Sequence, residues 1–316
     1  MVGDNIKKYR ELKNLTQKDV ADYLEVSTAT VSKYESNSLE PNIASIKNLA
    51  KLFEISIDEL LADDFILKED EESYVASLNV LQILREQKQM KLKGNLYHNT
   101  QIVLTYNSNH IEGSKLTEEQ TRFIYETNSL VTDKDSITNL NDITETTNHF
   151  KLVDYMIDVA DKKLTEKMIK EFHKILKDGT SDSRQDWFAV GDYKKLPNEV
   201  GGHSTTAPKD VEKEMKKLLE WYSSLDIVTI YEIIEFHSRF EKIHPFQDGN
   251  GRIGRIIAFK ECLKHNLVPF IIMDEDKLFY YRGLNKYQFS KEKGYLIDTC
   301  LNAQDQYMKM IKKYLF

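Results

Sequence analysis

The residues best equipped for chemistry lie between Ile243 and Arg255, in the run IHPFQDGNGRIGR. His244 is an imidazole with an ordinary pKa of about 6.5, so it can take a proton from a hydroxyl at neutral pH. Asp248 is a hard oxygen ligand suited to magnesium, a metal that takes one or two carboxylates and fills its shell with water and phosphate oxygens. Gly249, Asn250 and Gly251 read as a turn entering a helix, because Ile256, Ile257, Phe259 and Leu263 recur beyond it at helical spacing. The first N–H groups of such a helix have no intrahelical partner and draw anions, while glycine lets the backbone approach phosphate oxygens closely. Arg252 and Arg255, three apart, can both face that nest and neutralise phosphate charge. These are the parts for in-line attack on a nucleotide phosphate.

Two further groups bear on the same chemistry. In TYNSNHIEGSKLT, residues 105–117, Ser108 and Glu112 are four apart on one helical face and Gly113 ends the turn. Downstream, Tyr280, Tyr281 and Asn285 offer a stacking surface and an amide for a purine, although FYYRGLNKY is also what a helix half-buried by its tyrosines looks like. His237 reads as a core or supporting histidine rather than a catalyst, and His203 as a loop residue or a substrate contact.

The elements that must position these residues are mainly helical. The chain has 316 residues, 41% hydrophobic and 30% charged, with only 5 prolines, enough for one large domain and one small one. Residues 1–62 carry apolar positions at helical spacing for five short helices, among them Ile6, Tyr9, Val20, Leu24, Val31, Leu49 and Leu60. An acidic stretch, 63–79, reads as a linker, and 80–316 as the larger domain. Thr117 and Thr165 open helices there as capping residues. Residues 187–208 break the habit with Gly191, Pro197, Gly201, Gly202 and Pro208 among β-favouring residues, which predicts a hairpin or flap.

Composition narrows the function classes. Cys262 and Cys300 are far apart in sequence and neither belongs to a CxxC, which argues against a disulfide framework or zinc site. No run approaches the length needed to span a bilayer, and the polar N-terminus reads as cytoplasmic, with no membrane partner. The net charge of -7 means that any DNA contact must come from a local surface.

Residues 244–255 match the Fic-family signature His-x-Phe-x-Asp/Glu-Gly-Asn-Gly-Arg-x-x-Arg at every fixed position. The resemblance implies an all-α Fic fold with a short β-hairpin flap, and a protein adenylyltransferase that moves AMP from ATP onto a Ser, Thr or Tyr hydroxyl of a protein target, itself included. It implies His244 as the base, Asp248 as the Mg2+ ligand, and Gly249, Asn250, Gly251, Arg252 and Arg255 as the triphosphate seat, with Phe246 anchoring the loop. Tyr281 is the base-contact candidate. The flap near 187–208 would clamp the target by strand addition, with Val200 and Gly201 at the clamping position. The segment near 105–113 resembles the family's inhibitory motif, Ser/Thr-x-x-x-Glu-Gly/Asn. That likeness implies that Glu112, supported by Ser108, pairs with Arg255, keeps resting activity low, and in some relatives helps remove AMP again. The family's kinase branch has Lys where this chain has Gly251, which disfavours phosphoryl transfer; transfer of UMP or another phosphate-linked group uses the same signature.

The head, from Leu15 to Glu35, resembles the Cro and phage-repressor class of helix-turn-helix. The likeness places Ser27, Thr28, Thr30 and Ser32 toward the major groove, with Gln17, Lys33 and Asn37 near phosphates or bases. Asp19, Asp22, Glu25, Glu35 and Glu40 crowd that side and would repel phosphate. The alternative functions are therefore a nucleotide-sensing DNA-binding regulator, and a head that serves as a docking or homo-oligomer element.

Overall fold

A computed structural model describes residues 2–13, 15–61, 79–131 and 138–315. The chain divides into two compact units, Met1–Ser77 and Leu78–Phe316. The acidic stretch expected as a linker lies outside the described residues, apart from Asn79.

The described part of the first unit holds five helices: α1 (Val2–Leu12), α2 (Gln17–Leu24), α3 (Thr28–Glu35), α4 (Ile43–Phe53) and α5 (Ile57–Leu61). Local chemistry sets their ends. The Thr16 hydroxyl accepts from the Asp19 N–H while the Thr16 N–H donates to the Asp19 carboxylate, a reciprocal box that starts α2. Glu25 ends that helix in a left-handed conformation with φ 55°. Ser27 starts α3 by accepting from the Thr30 N–H at 3.1 Å, a cap worth about 1 kcal/mol. Ile6, Val20, Val31, Leu49, Phe53 and Leu60 fill the core, and Val26 packs at its edge.

The described part of the second unit is helical apart from one hairpin. Its helices are α6 (Val80–Met90), α7 (Leu96–Ile111), α8 (Glu118–Thr127), α9 (Leu140–Asp158), α10 (Glu166–Lys177), α11 (Pro208–Ser223), α12 (Ile230–Ile243), α13 (Asn250–Lys264), α14 (Lys277–Asn285) and α15 (Gly294–Leu315). Thr117 and Thr165 cap α8 and α10 through the Gln120 and Met168 amides. Helices α7 and α13 are buried along most of their length. For α13 this follows from Ile253, Ile256, Ile257, Phe259 and Cys262 spread around its circumference.

Helix α7 is polar yet buried, so its side chains need partners. Thr100 shares a hydrogen bond with the Tyr307 hydroxyl at 2.9 Å, Gln101 donates to Asp154 at 2.8 Å, and Thr105 pairs with His149 Nδ1 at 2.9 Å. These contacts lock the rotation of α7 and hence the direction in which Ser108 and Glu112, at its end, project.

Strands β1 (Glu199–Val200) and β2 (His203–Ser204) pair antiparallel, Glu199 opposite Ser204 and Val200 opposite His203. Gly201 and Gly202 turn the chain with φ of 57° and 78°, the left-handed pair that a two-residue hairpin loop requires. Cys262 and Cys300 are free thiols in the apolar core near Ile233 and Leu296, and burial pushes both up into unreactive range. No described helix is long and apolar enough to cross a membrane.

Candidate active site

The site is built where α12 runs into α13. His244 ends α12 in a left-handed conformation, φ 53° and ψ 62°, with its N–H bonded to the Phe240 carbonyl at 2.9 Å. Phe246, fully buried, stacks on His173 of α10 with ring centroids 4.0 Å apart and planes 2° from parallel. His173 Nδ1 accepts the Gly191 N–H at 2.9 Å, which leaves Nε2 to donate to the Asp248 carbonyl at 3.2 Å. Asn250 closes the loop from inside: its Oδ1 accepts the Phe246 N–H at 2.8 Å and its Nδ2 donates to the Phe246 carbonyl at 2.9 Å. Both ends of that side chain thus brace the loop, while the Asn250 backbone lies in the first turn of α13. Gly249, φ 82°, starts α13.

Burial, reinforced by Lys194, lowers the His244 imidazole to about 4, against the opposing pull of the Glu241 carbonyl, Glu112 and Asp248. The ring is neutral at pH 7 and able to accept a proton. Its neighbour Glu241 is pushed up to about 8 by burial, with Arg255 opposing. Glu241 is protonated at neutral pH and its Oε1 has no hydrogen-bond partner among the described residues.

The two arginines of α13 face different partners. Arg255 donates from Nε to the Ser108 hydroxyl at 3.1 Å, and from Nη2 to the Ser108 carbonyl and the Glu112 carboxylate, each at 2.8 Å. Glu112 caps the C-terminus of α7, and its carboxylate lies over Gly251, where a Cβ would overlap Oε1. A carboxylate thus rests at the N-terminal turn of α13, where the helix dipole favours negative charge. Arg252 donates to the carboxylates of Glu145 and Asp248, the latter at 3.3 Å. Asp248 also accepts from Lys177 Nζ at 2.6 Å, and Lys177 in turn bonds Glu145. Burial alone would raise Asp248, but Arg252 and Lys177 outweigh it and hold the carboxyl well below the usual range.

A cleft of about 780 Å³ brings together Glu112, His244, Gly251, Arg255, Tyr281 and the flap edge at Val200 and Gly201. The flap is fastened to the loop: the Lys194 N–H donates to the Pro245 carbonyl at 2.9 Å, Asn198 Nδ2 to the Phe246 carbonyl at 3.0 Å, and the Leu196 N–H to Gln247 at 3.1 Å. Lys194 Nζ, buried, bonds Asn198 and Thr205 across the hairpin base, and desolvation lowers it to about 8. His203 stacks on Phe289 at 4.1 Å. Val200 is 47% exposed and its edge is open. Tyr281 lines the cleft and donates its hydroxyl to the Ile111 carbonyl at 3.0 Å. Tyr280 also borders the cleft but is otherwise buried, and its hydroxyl pairs with His237 Nε2 at 2.6 Å.

Sequence reasoning missed Glu145, His173, Lys177, Lys194 and Glu241. Only one signal pointed to any of them: His173 and Lys177 are four apart, one turn of α10, beside apolar positions.

In the first unit, Thr28, Ser32 and Lys33 are exposed on α3 and Thr30 is half-buried. Ser27 is exposed but its hydroxyl is the helix cap. Gln17 donates to Glu35 at 2.8 Å, and Asn37 accepts the Gly3 N–H at 2.8 Å, so both side chains are turned inward. Glu35 itself is 7% exposed and paired with Arg10 at 2.6 Å. It does not stand on the outer face, contrary to expectation, because Arg10 draws it into the unit.

Residues 163–261 match the model of the Fic/DOC family, a span that includes the whole loop from His244 to Arg255. The chain carries a Fic/DOC domain. Residues 6–60 match a helix-turn-helix model, so a helix-turn-helix domain precedes the Fic domain. The chain is similar to a protein adenylyltransferase Fic of Nematostella vectensis, 31% identical over 185 residues that cover 57% of this chain and 42% of that protein. It is also similar to one of Aedes aegypti, 26% identical over 279 residues, 87% of this chain and 52% of that protein. The chain spans about half the length of these curated relatives. Among solved structures, a Fic domain containing signaling protein from Bacteroides thetaiotaomicron superposes with TM-score 0.58 at 24% identity, covering 74% of this chain and 94% of that one. Fic-1 from C. elegans does so with TM-score 0.57 at 16% identity, covering 96% and 84%. The Fic fold, helical with one small hairpin, is established by these likenesses.

Proposed function

We propose that the second unit is a protein adenylyltransferase that moves AMP from ATP to a Ser, Thr or Tyr hydroxyl, and that Glu112 restrains it. The observation that carries this reading is the shared cleft: a neutral imidazole, a helix N-terminus with Arg255, and an open strand edge face one space. The target hydroxyl oxygen bonds the α-phosphorus as its proton passes to His244. The bond from that phosphorus to the bridging oxygen breaks, and pyrophosphate leaves with the electron pair. The Gly249 to Gly251 turn and Arg255 bind phosphate oxygens, and Tyr281 with Asn285 receives the base. Val200 and Gly201 present backbone to an added target strand, which a second copy of this chain can supply.

Asp248 fits a magnesium ion, being a half-exposed carboxylate held ionised, and magnesium needs only one or two such ligands beside phosphate and water. When bound, the metal would neutralise the triphosphate charge. Glu112 restrains the site by occupying Arg255 and the nest over Gly251, so a γ-phosphate meets a carboxylate where it needs a cation. For the first unit we propose DNA contact through Thr28, Ser32 and Lys33, the exposed polar face of α3.

The test is incubation with magnesium and ATP labelled at the α-phosphate, comparing the parent with Glu112→Gly and His244→Ala. The reading requires strong protein labelling with Glu112→Gly, weak labelling with the parent and none with His244→Ala. Equal labelling of parent and Glu112→Gly removes the restraint, and labelling that survives His244→Ala removes the assigned base.

A further inference from the structure

We propose that Lys177 and Glu145 are positioning residues that aim the Asp248 carboxylate, leaving one of its oxygens for a divalent cation. The proposal rests on the reading of Asp248 as the metal ligand. Two side chains one turn apart on α10 grip this one residue: His173 Nε2 holds its carbonyl at 3.2 Å and Lys177 Nζ holds Oδ2 at 2.6 Å. Arg252 reaches the same Oδ2 at 3.3 Å. A carboxylate oxygen has two lone pairs, and both on Oδ2 are engaged. The Gly249 N–H also bears on this carboxylate, but the side chain is 50% exposed, and Oδ1, which takes neither cation, is the atom assigned to the metal.

Glu145 completes the arrangement by bonding Lys177 and Arg252 together. The result is a closed ring of alternating charge, Lys177, Asp248, Arg252 and Glu145, with Asp182 3.8 Å from the Lys177 ammonium. The side chains of Lys177 and Arg252 are 1% and 5% exposed, whereas that of Glu145 is 15% exposed. The cations are thus anchored in the core and the metal-facing carboxylate stands at the rim. An ion pair serving only to fill the core needs Glu145 and Arg252 alone; Lys177 adds a second grip on the member that faces solvent. Rotation of the Asp248 carboxylate breaks two charge-assisted hydrogen bonds at once, which is how such support raises the metal affinity of a single ligand.

The measurement is ATP binding by calorimetry to the full chain carrying Glu112→Gly, with magnesium titrated from none to saturation. Lys177→Met and Glu145→Gln should each raise the half-saturating magnesium by about tenfold and leave ATP binding without metal unchanged. Lys177→Arg, which keeps a donor toward both carboxylates, should restore most of the loss. An unmoved magnesium requirement in either folded variant overturns the proposal. Equal weakening with and without metal does the same, since it would mark the ring as structural support. If neither Lys177→Met nor Glu145→Gln folds, the ring is a stability element and the positioning role is overturned. Failure of the parent to bind ATP at any magnesium concentration sinks the reading of the site itself, a result separable from all of these.

Discussion

Arg252 and Arg255 lie three residues apart on α13, each 4% exposed, and the fold treats them in opposite ways. Arg252 is locked into a ring with Glu145, Asp248 and Lys177, whose members come from three helices and the loop before α13. Among the described residues Arg255 pairs with one carboxylate, that of Glu112, which is 29% exposed and caps the C-terminus of α7. Breaking the ring strands charges in the core, whereas releasing Glu112 lets it turn into solvent. Identical side chains on one helix thus sit in a closed charge network on one side and in a single, partly exposed ion pair on the other.

Stability should separate the two most sharply. Arg252→Met is expected to cost about 3 kcal/mol or more, as removal of one partner from a buried charge network does. Arg255→Met should cost clearly less, because Glu112 can hydrate. Urea unfolding of both variants checks this, and equal losses would break the comparison.

Activity should move the other way. Glu112→Gly is expected to raise label transfer roughly tenfold to a hundredfold, the usual scale of a coupling between two sites. Glu145→Gln, the corresponding change on the ring side, should lower it at limiting magnesium.

The pH profile sharpens the Arg255 side. His244 is lowered to about 4, chiefly by burial, so transfer by the Glu112→Gly variant should be insensitive to this group at neutral pH. It should fall as pH drops through about 4, where the imidazole gains a proton and can no longer accept one. The unfolded chain binds that proton at about 6.5, so the same shift withdraws stability as pH falls from 6.5 toward the folded value. A fall in rate centred at the ordinary histidine value would show a solvated base.

The smallest effect is expected from Ser108→Ala. It removes one acceptor at 3.1 Å but leaves the Ser108 carbonyl and Glu112 on Arg255. Loss of a single hydrogen bond, about 1 kcal/mol, should loosen the restraint severalfold at most in the labelling assay.

The helical Fic fold was legible, and so was the nearness of His244, Gly251 and Arg255, which line one cleft, because their information is local. Glycine spacing, hydroxyl caps at Thr117 and Thr165, and a Gly-Gly turn each act within a few residues. Ser108 and Glu112 were legible as a pair for the same reason, since α7 places them on one face. Glu145 and Lys177 were not, because their bonds to Arg252 and Asp248 cross 107 and 71 residues and depend on how α9, α10 and α13 pack. Gln17, Glu35 and Asn37 misled for the converse reason: a polar residue in a binding motif looks outward until a tertiary partner is found for it. Asn250 sits in the anion-binding run, yet its amide fits the Phe246 backbone so well that the side chain became a brace.

The span that matches the Fic/DOC family, 163–261, contains Lys177, Asp248, Arg252 and Arg255 but not Glu145, Ser108 or Glu112. Excised alone, it would keep both buried guanidiniums and lose a carboxylate partner from each. The smallest autonomous piece of this enzyme-like unit must therefore begin upstream of α7, and grafting the recognised segment into another protein would transplant a site with its counter-charges left behind.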